Sequence, residues 1–224
     1  MPEITDQSLS RGDIETLAAS GGPVTLTGCQ MIDIDLCDLE LVDWHFDACH
    51  LDNARASDAI LEEVRFTACH APGLILRGAR LMQCRVNGCD MSNGNLSDMI
   101  AADVEFADCK LLGVNMSGTQ ASDLTLAGSN LAVARLSGLS LRGRMIEGVN
   151  FAGSDLTQCD FRDAVFEACS LRDVEVSEAR FEGADLRGAD LGGFKMEDAA
   201  RFRGAMISRS QAADLLGQLG LIVG

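Results

Sequence analysis

Between Val24 and Met196 a bulky apolar residue returns at every fifth position: Leu26, Met31, Leu36, Leu41, Phe46, Leu51, and so on to Leu186, Leu191 and Met196. A period of five fits neither the 3.6 of a helix nor the strict alternation of a half-buried strand. Two places before each central residue sits a smaller apolar one, such as Cys29, Ala54, Ala59, Val64, Cys69, Ala79, Cys84, Val104, Val114, Ala164, Ala179 or Ala184. Residues two apart on an extended chain share a face, so both can point inward while the one between them points out. The two places after the centre are mostly Gly, Asp, Ser, Thr or Arg, the second very often Gly or Asp, which is turn chemistry. Each group of five therefore predicts a short extended side followed by a corner.

Cys29, Cys49, Cys69, Cys89 and Cys109 return every twenty positions, which gives four sides per coil. Short-period self-similarity of this kind marks a solenoid, in which each coil covers the apolar face of the one before it. The predicted fold is an all-β solenoid with short terminal helices. At a coil rise of ~4.8 Å, the strand spacing in a sheet, about nine coils give a rod of roughly 42 Å. The centres Ala56, Ala71, Ala101 and Ala121 are small, yet no inserted loop interrupts the beat. Phe46, Phe66, Phe106 and Phe166 are separated by multiples of twenty and predict an internal ladder on one side.

Two residues break the small-inward rule. Trp44 stands where neighbouring coils carry Val24 and Val64, which requires a local widening or a ring turned outward. Arg144 falls in an inward slot, where an unpaired guanidinium is very costly. A local distortion over Leu141 to Ile146 that lets it reach water or a carboxylate is the expected remedy.

The ends read differently. Residues 1–23 predict a capping segment: Ser10 can cap a helix through Asp13, Ile14, Leu17 and Ala18 follow at helical spacing, and Gly21-Gly22-Pro23 stops it. Uncovered, that end of the rod would present an unpaired sheet edge. Residues 24–207 form the solenoid, with a one-residue slip after Met196 that Phe202 and Ile207 continue. Residues 208–224 predict a helix opened by a Ser208/Gln211 capping box, with Ala212, Leu215, Leu216 and Leu219 on one face and an apolar tail at Leu221 and Ile222. Such an element can cap the rod or join two copies about a two-fold axis.

Composition narrows the function. Aromatic residues make up 4% of the 224 residues, and there is no Tyr. A rod one side-chain pair thick has little room for rings. The 34 acidic against 18 basic residues give a net charge of −16, which argues against direct nucleic-acid or anionic-membrane binding and for basic partners. The start Met1-Pro2-Glu3 shows no signal-peptide pattern and no apolar run matches a membrane span, so a cytoplasmic setting is expected. There, eight of the nine cysteines serve as small inward fillers and only Cys37 does not. Stacked coils would hold their Cα atoms within disulfide range.

No catalytic constellation is legible. The glycines sit at corners and not between a strand and a helix, so they form no phosphate loop. The serines and cysteines lack a base at useful spacing, and a filled rod offers no cleft. His50 and His70 stack one coil apart beside Cys49 and Cys69, but neighbouring residues on an extended side face opposite ways and the four cannot converge on one ion. No enzyme activity, cofactor or metal is expected.

The surface carries the remaining signal. The second corner position reads Asp43, Glu63, Gln83, Asp103, Asp123, Gly143, Asp163 along one side and Asp38, Asp58, Gly78, Asp98, Gly118 along its neighbour. The eight acids of these columns (Asp38, Asp43, Asp58, Glu63, Asp98, Asp103, Asp123 and Asp163) form a candidate partner-binding surface. Duplex DNA carries one charge per ~1.7 Å of axis, or roughly 25 over 42 Å. A rod bearing −16 over a comparable length approaches that density.

Tracts such as Ala184-Asp185-Leu186-Arg187-Gly188, Ala189-Asp190-Leu191-Gly192-Gly193 and Ser154-Asp155-Leu156-Thr157-Gln158 resemble the consensus of pentapeptide-repeat proteins over nearly the whole chain. The resemblance implies a right-handed quadrilateral β-helix. The closing stretch from Leu215 through Leu219, Leu221 and Ile222 to Gly224 is similar to the tails of Qnr, MfpA and McbG (microcin-immunity) type proteins, which protect DNA gyrase and topoisomerase IV from quinolones or natural-product poisons. That likeness implies a DNA mimic that binds a topoisomerase through its acidic columns and forms a homodimer through Ala212, Leu215, Leu216, Leu219, Leu221 and Ile222. Qnr proteins of the plasmid type carry loops for which the unbroken beat leaves no space. The alternative is a structural scaffold solenoid whose partner is another protein.

Overall fold

The computed structural model describes residues 2–218 and 220–222, and of Met196 the backbone alone. The chain winds into a parallel β-solenoid of about nine turns. From Val24 to the last coil every strand pair is in register at a separation of twenty, as in Leu26↔Phe46, Phe46↔Phe66, Leu41↔Leu61 and Leu61↔Leu81, whereas the N-terminal pair Ile4↔Leu26 is offset by twenty-two. The four walls are named here by their centres Leu36, Leu41, Phe46 and Leu51. The Phe46 wall carries a seven-stranded sheet and the Leu41 wall a five-stranded one. The other two walls are stitched by single bridges, such as His50↔His70 and Arg55↔Ile75.

The corners explain the polar half of the sequence pattern. The second residue after nearly every centre turns with positive φ, as at Asp38 (62°), Asp58 (57°) and Asp103 (54°); Asp123, at the break in the sheets, and Gly188, inside a strand, do not. That left-handed region is open to Gly and tolerated by Asp and Asn, which is why these residues fill the position. Asp58 Oδ1 lies so close to Gly78 that a Cβ there would meet it at 2.4 Å, and Asp98 stands over Gly118 in the same way at 2.7 Å. At these two corners the acid of one coil leaves room for nothing larger than glycine at the next.

The inward slots hold the expected residues, and they do more than fill space. Cys49, Cys69, Cys84, Cys109, Cys159 and Cys169 each donate a thiol hydrogen bond to the carbonyl of the centre one coil earlier, at 3.1–3.4 Å. Ser129 and Ser154 make the same bond with a hydroxyl, at 3.3 and 2.6 Å. Where the slot holds one of these cysteines or serines the side chain adds a hydrogen bond to its packing, whereas Ala54, Ala59, Val64 and Val104 pack there without one. All nine cysteines are free, and Cys37 alone is not buried. Burial pushes the Cys84 and Cys109 thiols up to about 11 and Cys159 to about 12.

Trp44 takes the inward option, its side chain 2% exposed and its ring 5.9 Å from that of Phe46. The expected phenylalanine ladder forms only in part. Phe46 and Phe66 stack at 4.7 Å, but Val86 and Leu126 flank Phe106, and Phe166 packs with Phe151, Phe161 and Phe181 from other walls. Arg144 turns out of the core to Asp123, and the regular sheets break there: one ends at Leu124–Thr125 and the next begins at Met145–Glu147.

At the N-terminus, Glu3–Thr5 adds a strand to Val24–Thr27, an element absent from the sequence reading, which placed only a helix there. The helix Arg11–Ser20 follows with Ser10 and Asp13 forming the capping box, and Ile14 buried against the rod. At the far end a 3-10 helix, Met196–Phe202, absorbs the slip, and Phe202 stacks on Phe181 at 4.5 Å. Ile207, expected to continue the beat, follows the Asp185↔Met206 bridge in the slipped register and is 38% exposed. The helix Arg209–Gln218 starts at Ser208 with the Gln211 capping box in place. Leu219 lies outside the described residues.

Candidate acidic interface

The corner geometry fixes where the predicted acids point. Asp38, Asp58, Glu63, Asp98, Asp103, Asp123 and Asp163 are exposed and Asp43 half-exposed, all on corners that border the Leu41 wall. The two columns therefore exist as lines of carboxylates along the rod. They are not equivalent along its length.

In the later coils arginines meet these acids. Asp103 receives Arg85 at 2.8 Å, Asp123 receives Arg144 at 2.8 Å, Asp163 receives Arg142 at 3.3 Å, and Arg77 stands 3.8 Å from Asp98. Neighbouring acids toward the C-terminus are neutralised too: Arg162 and Arg180 grip Asp160, and Arg187 holds Asp185. The Arg162 hydrogen bonds outweigh burial and hold the Asp160 carboxyl below the usual range, and Arg187 holds Asp185 at about 2. For Asp98, Asp103, Asp123 and Asp163 sequence spacing could not show this, since their arginines come from preceding or following coils, whereas Arg162 and Arg187 lie two residues after the acids they hold.

In the first two complete coils the columns are bare. Among the described residues, Asp38, Asp58 and Glu63 have no cationic partner within 4.0 Å, and Asp43 has only His45 at 3.8 Å. Glu40 and Glu62, missed by a reading confined to corner positions, flank the centres Leu41 and Leu61 on the same wall and are likewise without partner. Their signal was present in the alternation: the residues either side of a buried centre must face out. Six carboxylates (Asp38, Glu40, Asp43, Asp58, Glu62 and Glu63) thus share one wall and its two edges over two coils.

The predicted dimer residues surround the other end. Ala212 and Leu215 are half-buried, Leu216 and Leu221 are 40% and 55% exposed, and Ile222 is almost wholly exposed. Gln211 fastens the helix to the last coil by donating to the carbonyls of Leu186 and Ala189, each at 2.7 Å. An open groove of about 630 Å³, lined by Leu191, Gln211, Asp214, Leu215 and Gln218 among others, separates helix and rod. No described helix is long and apolar enough to cross a membrane.

The model of the family described as pentapeptide repeats matches in eight copies, over 59–98 and, in overlapping stretches, 134–173, 146–183, 159–198 and 177–211. The chain belongs to the pentapeptide-repeat family. Among solved structures this pentapeptide-repeat protein is similar to two trypsin-treated variants of QnrB1, a plasmid-mediated fluoroquinolone resistance protein, at 16% identity. The match covers the whole chain and 98–99% of theirs, with TM-scores of 0.65 and 0.62. HetL of the cyanobacterium Nostoc, a pentapeptide repeat protein involved in heterocyst differentiation regulation, is 20% identical over 88% of this chain and 92% of its own, with a TM-score of 0.46. No curated protein matches the sequence. At these identities the likeness concerns the fold, and function has to be argued from the surface.

Proposed function

We propose that this pentapeptide-repeat protein binds the DNA-tracking surface of DNA gyrase or topoisomerase IV as a stand-in for duplex DNA, and so protects the enzyme from quinolone or natural-product poisons or modulates its response to them. The observation that carries this reading is the bare acidic wall of the first two coils. Six charges over about 10 Å of rod equal the roughly six that a duplex carries over the same length. A basic channel built to neutralise phosphates would meet the same charge density on a rigid support, without the ordering cost that a flexible acidic tail would incur. The fold shared with a fluoroquinolone resistance protein supports the choice of partner. The reading is of a binding protein and not an enzyme, in a cytoplasmic setting.

The test is a gyrase supercoiling assay with and without a quinolone. Inhibition, or rescue from the drug, that weakens steeply with salt supports the proposal. A purified protein that does neither at micromolar concentration sinks it. The same reading has two copies paired through the exposed Leu216, Leu221 and Ile222 at the C-terminal end. Truncation before Ser208 should then halve the mass in solution.

The scaffold reading draws on the arginines that neutralise Asp98, Asp103, Asp123 and Asp163, since a rod held mainly by internal ion pairs needs no basic partner. Capture of proteins other than topoisomerase subunits would favour it.

A further inference from the structure

On the Leu51 wall, His50 and His70 occupy outward positions one coil apart and are bridged through their backbones. One ring nitrogen of each and an Asp52 carboxylate oxygen lie within 4.8 Å of one another, the one such group of three ligating side chains among the described residues. His70 Nδ1 is 3.0 Å from Asp52 Oδ1, and His50 Nδ1 is 4.0 Å from Asp52 Oδ2. Cys49 and Cys69 point into the core, as the alternation requires, so they take no part. On sequence alone the histidines were weighed only with these cysteines, that group was set aside on the same alternation, and Asp52 was overlooked.

The carboxylate is out of keeping with its column. Where an acid or amide precedes a centre on this wall, it accepts the N–H two residues on: Asp90 from Ser92, Asn130 from Ala132, Asn150 from Ala152. Asp52 follows its centre, and its counterpart one coil later is Pro72, which has no N–H to give. Its Oδ2 is shielded from water and has no hydrogen-bond partner. A plain His–Asp pair would occupy one imidazole and leave that oxygen uncompensated, which is costly. Here a second imidazole is turned toward the same carboxylate.

We propose that His50, Asp52 and His70 form a surface site for a borderline divalent transition metal, Zn²⁺ or a neighbour such as Co²⁺ or Ni²⁺. Metal–ligand bonds of about 2.0–2.2 Å place tetrahedral ligand atoms roughly 3.3–3.6 Å apart; His70 Nδ1 is 3.0 Å from one carboxylate oxygen, His50 Nδ1 is 4.0 Å from the other, and one ligand atom from each residue lies within 4.8 Å of the rest, so small side-chain rotations close the set. Two imidazoles and one carboxylate suit such an ion, whereas Ca²⁺ and Mg²⁺ require more oxygens than the wall supplies. The remaining coordination positions face solvent, where water or a donor from a bound partner completes the shell. Because the ligands come from two coils, the metal clamps the second coil to the third.

The experiment is equilibrium dialysis of the chelator-treated full chain against Co²⁺ and Zn²⁺, with thermal unfolding and the Co²⁺ absorption spectrum as second readouts. One ion per chain, a higher unfolding temperature and a Co²⁺ spectrum free of thiolate charge transfer are expected. His50→Ala and His70→Ala should each lower affinity at least tenfold, and the near-isosteric Asp52→Asn should do so without disturbing the fold. The side chains of both histidines are close to half exposed, so these variants should retain the native circular dichroism. Absence of binding by the wild type, or equal binding by the His50→Ala/His70→Ala variant, overturns the site. Neither outcome touches the topoisomerase reading, whose assay requires no added transition metal.

Discussion

Arg144 reaches one coil back to Asp123, Nη1 to Oδ1 at 2.8 Å, while its Nη2 donates to the carbonyl of Ser122 at the same distance. The residue sits in a slot where other coils bury Val24, Val64 or Val104. Desolvating a guanidinium exceeds any packing it could gain, so the chain opens the wall instead. Ala121, the centre beside the break, is left half-buried.

Arg144→Val should therefore stabilise the rod. An exposed ion pair contributes at most about 1 kcal/mol, and burying a valine about 1.5–3 kcal/mol, so a net gain of roughly 1 kcal/mol is expected in urea unfolding. The same change releases the Asp123 carboxylate. A variant less stable than wild type would show that the wall is held open by something other than Arg144.

Val133 occupies a corner with φ of 52°, 59% exposed, in a column that elsewhere holds Asp, Asn or Gly. A β-branched residue there is a conformational outlier, costing on the order of 1–2 kcal/mol against glycine. Part of that is recovered in the unfolded chain, where glycine has more freedom to lose. Val133→Gly should raise stability by about 1 kcal/mol. Unchanged unfolding would mean that its packing over Gly153, where Cγ1 nearly touches the next corner, offsets the strain.

The inward slot offers a sharper contrast. Ser154 is fully buried, donates to the Leu131 carbonyl and accepts from the Ala134 N–H at 3.1 Å. Ser154→Ala removes that exchange and should cost about 1–2 kcal/mol. Ser154→Cys should cost less, since six other coils use a thiol for the same carbonyl. If the two variants unfold alike, the slot selects size alone.

The five-residue beat made the walls, corners and core slots legible because each is decided within one coil. The capping boxes at Ser10 and Ser208 were legible for the same reason. What the sequence did not disclose lies between coils. The pairing of Asp103 with Arg85 and of Asp123 with Arg144 depends on which way long side chains lean across a corner. The strand Glu3–Thr5 lacks the beat because it lies ahead of the first complete coil, and its sheet partner alone gives it structure. Asp52 escaped notice for another reason: it lies two residues after His50, across the buried centre Leu51, whereas the histidines were weighed only with their neighbours Cys49 and Cys69.

Acid should loosen the rod over a definite range. Burial would raise the Asp90 carboxyl, but Lys110 and the Ser92 hydroxyl and N–H outweigh it and hold it at about 2. Arg187 and its backbone N–H hold Asp185 at about 2 as well. A native carboxyl below the unfolded value of about 3.9 adds stability above that value and loses it as pH falls toward 2. The unfolding temperature should therefore drop between pH 4 and pH 2, and Asp90→Asn should blunt the drop. An Asp90→Asn variant with the wild-type acid profile would remove Asp90 from the account.

The division between bare and neutralised acids makes the final prediction. Replacing Asp38, Asp58 and Glu63 by Asn, Asn and Gln removes three charges that have no cationic partner to release. Replacing Asp98, Asp103 and Asp123 by Asn also removes three charges, yet it frees Arg77 and Arg144 at the same places and leaves Arg85 with Glu105 alone, 3.5 Å away. If the topoisomerase reads only the summed charge of the rod, the two triple variants weaken binding equally, because each changes the net charge by the same amount. If it reads the bare wall, the first variant loses affinity by at least tenfold and flattens the salt dependence by up to three released counterions. The second variant then changes affinity little at low salt, unless the freed arginines repel the basic channel. Titration of both variants against gyrase at two salt concentrations separates these cases, and equal losses would move the interface from the first coils to the rod as a whole.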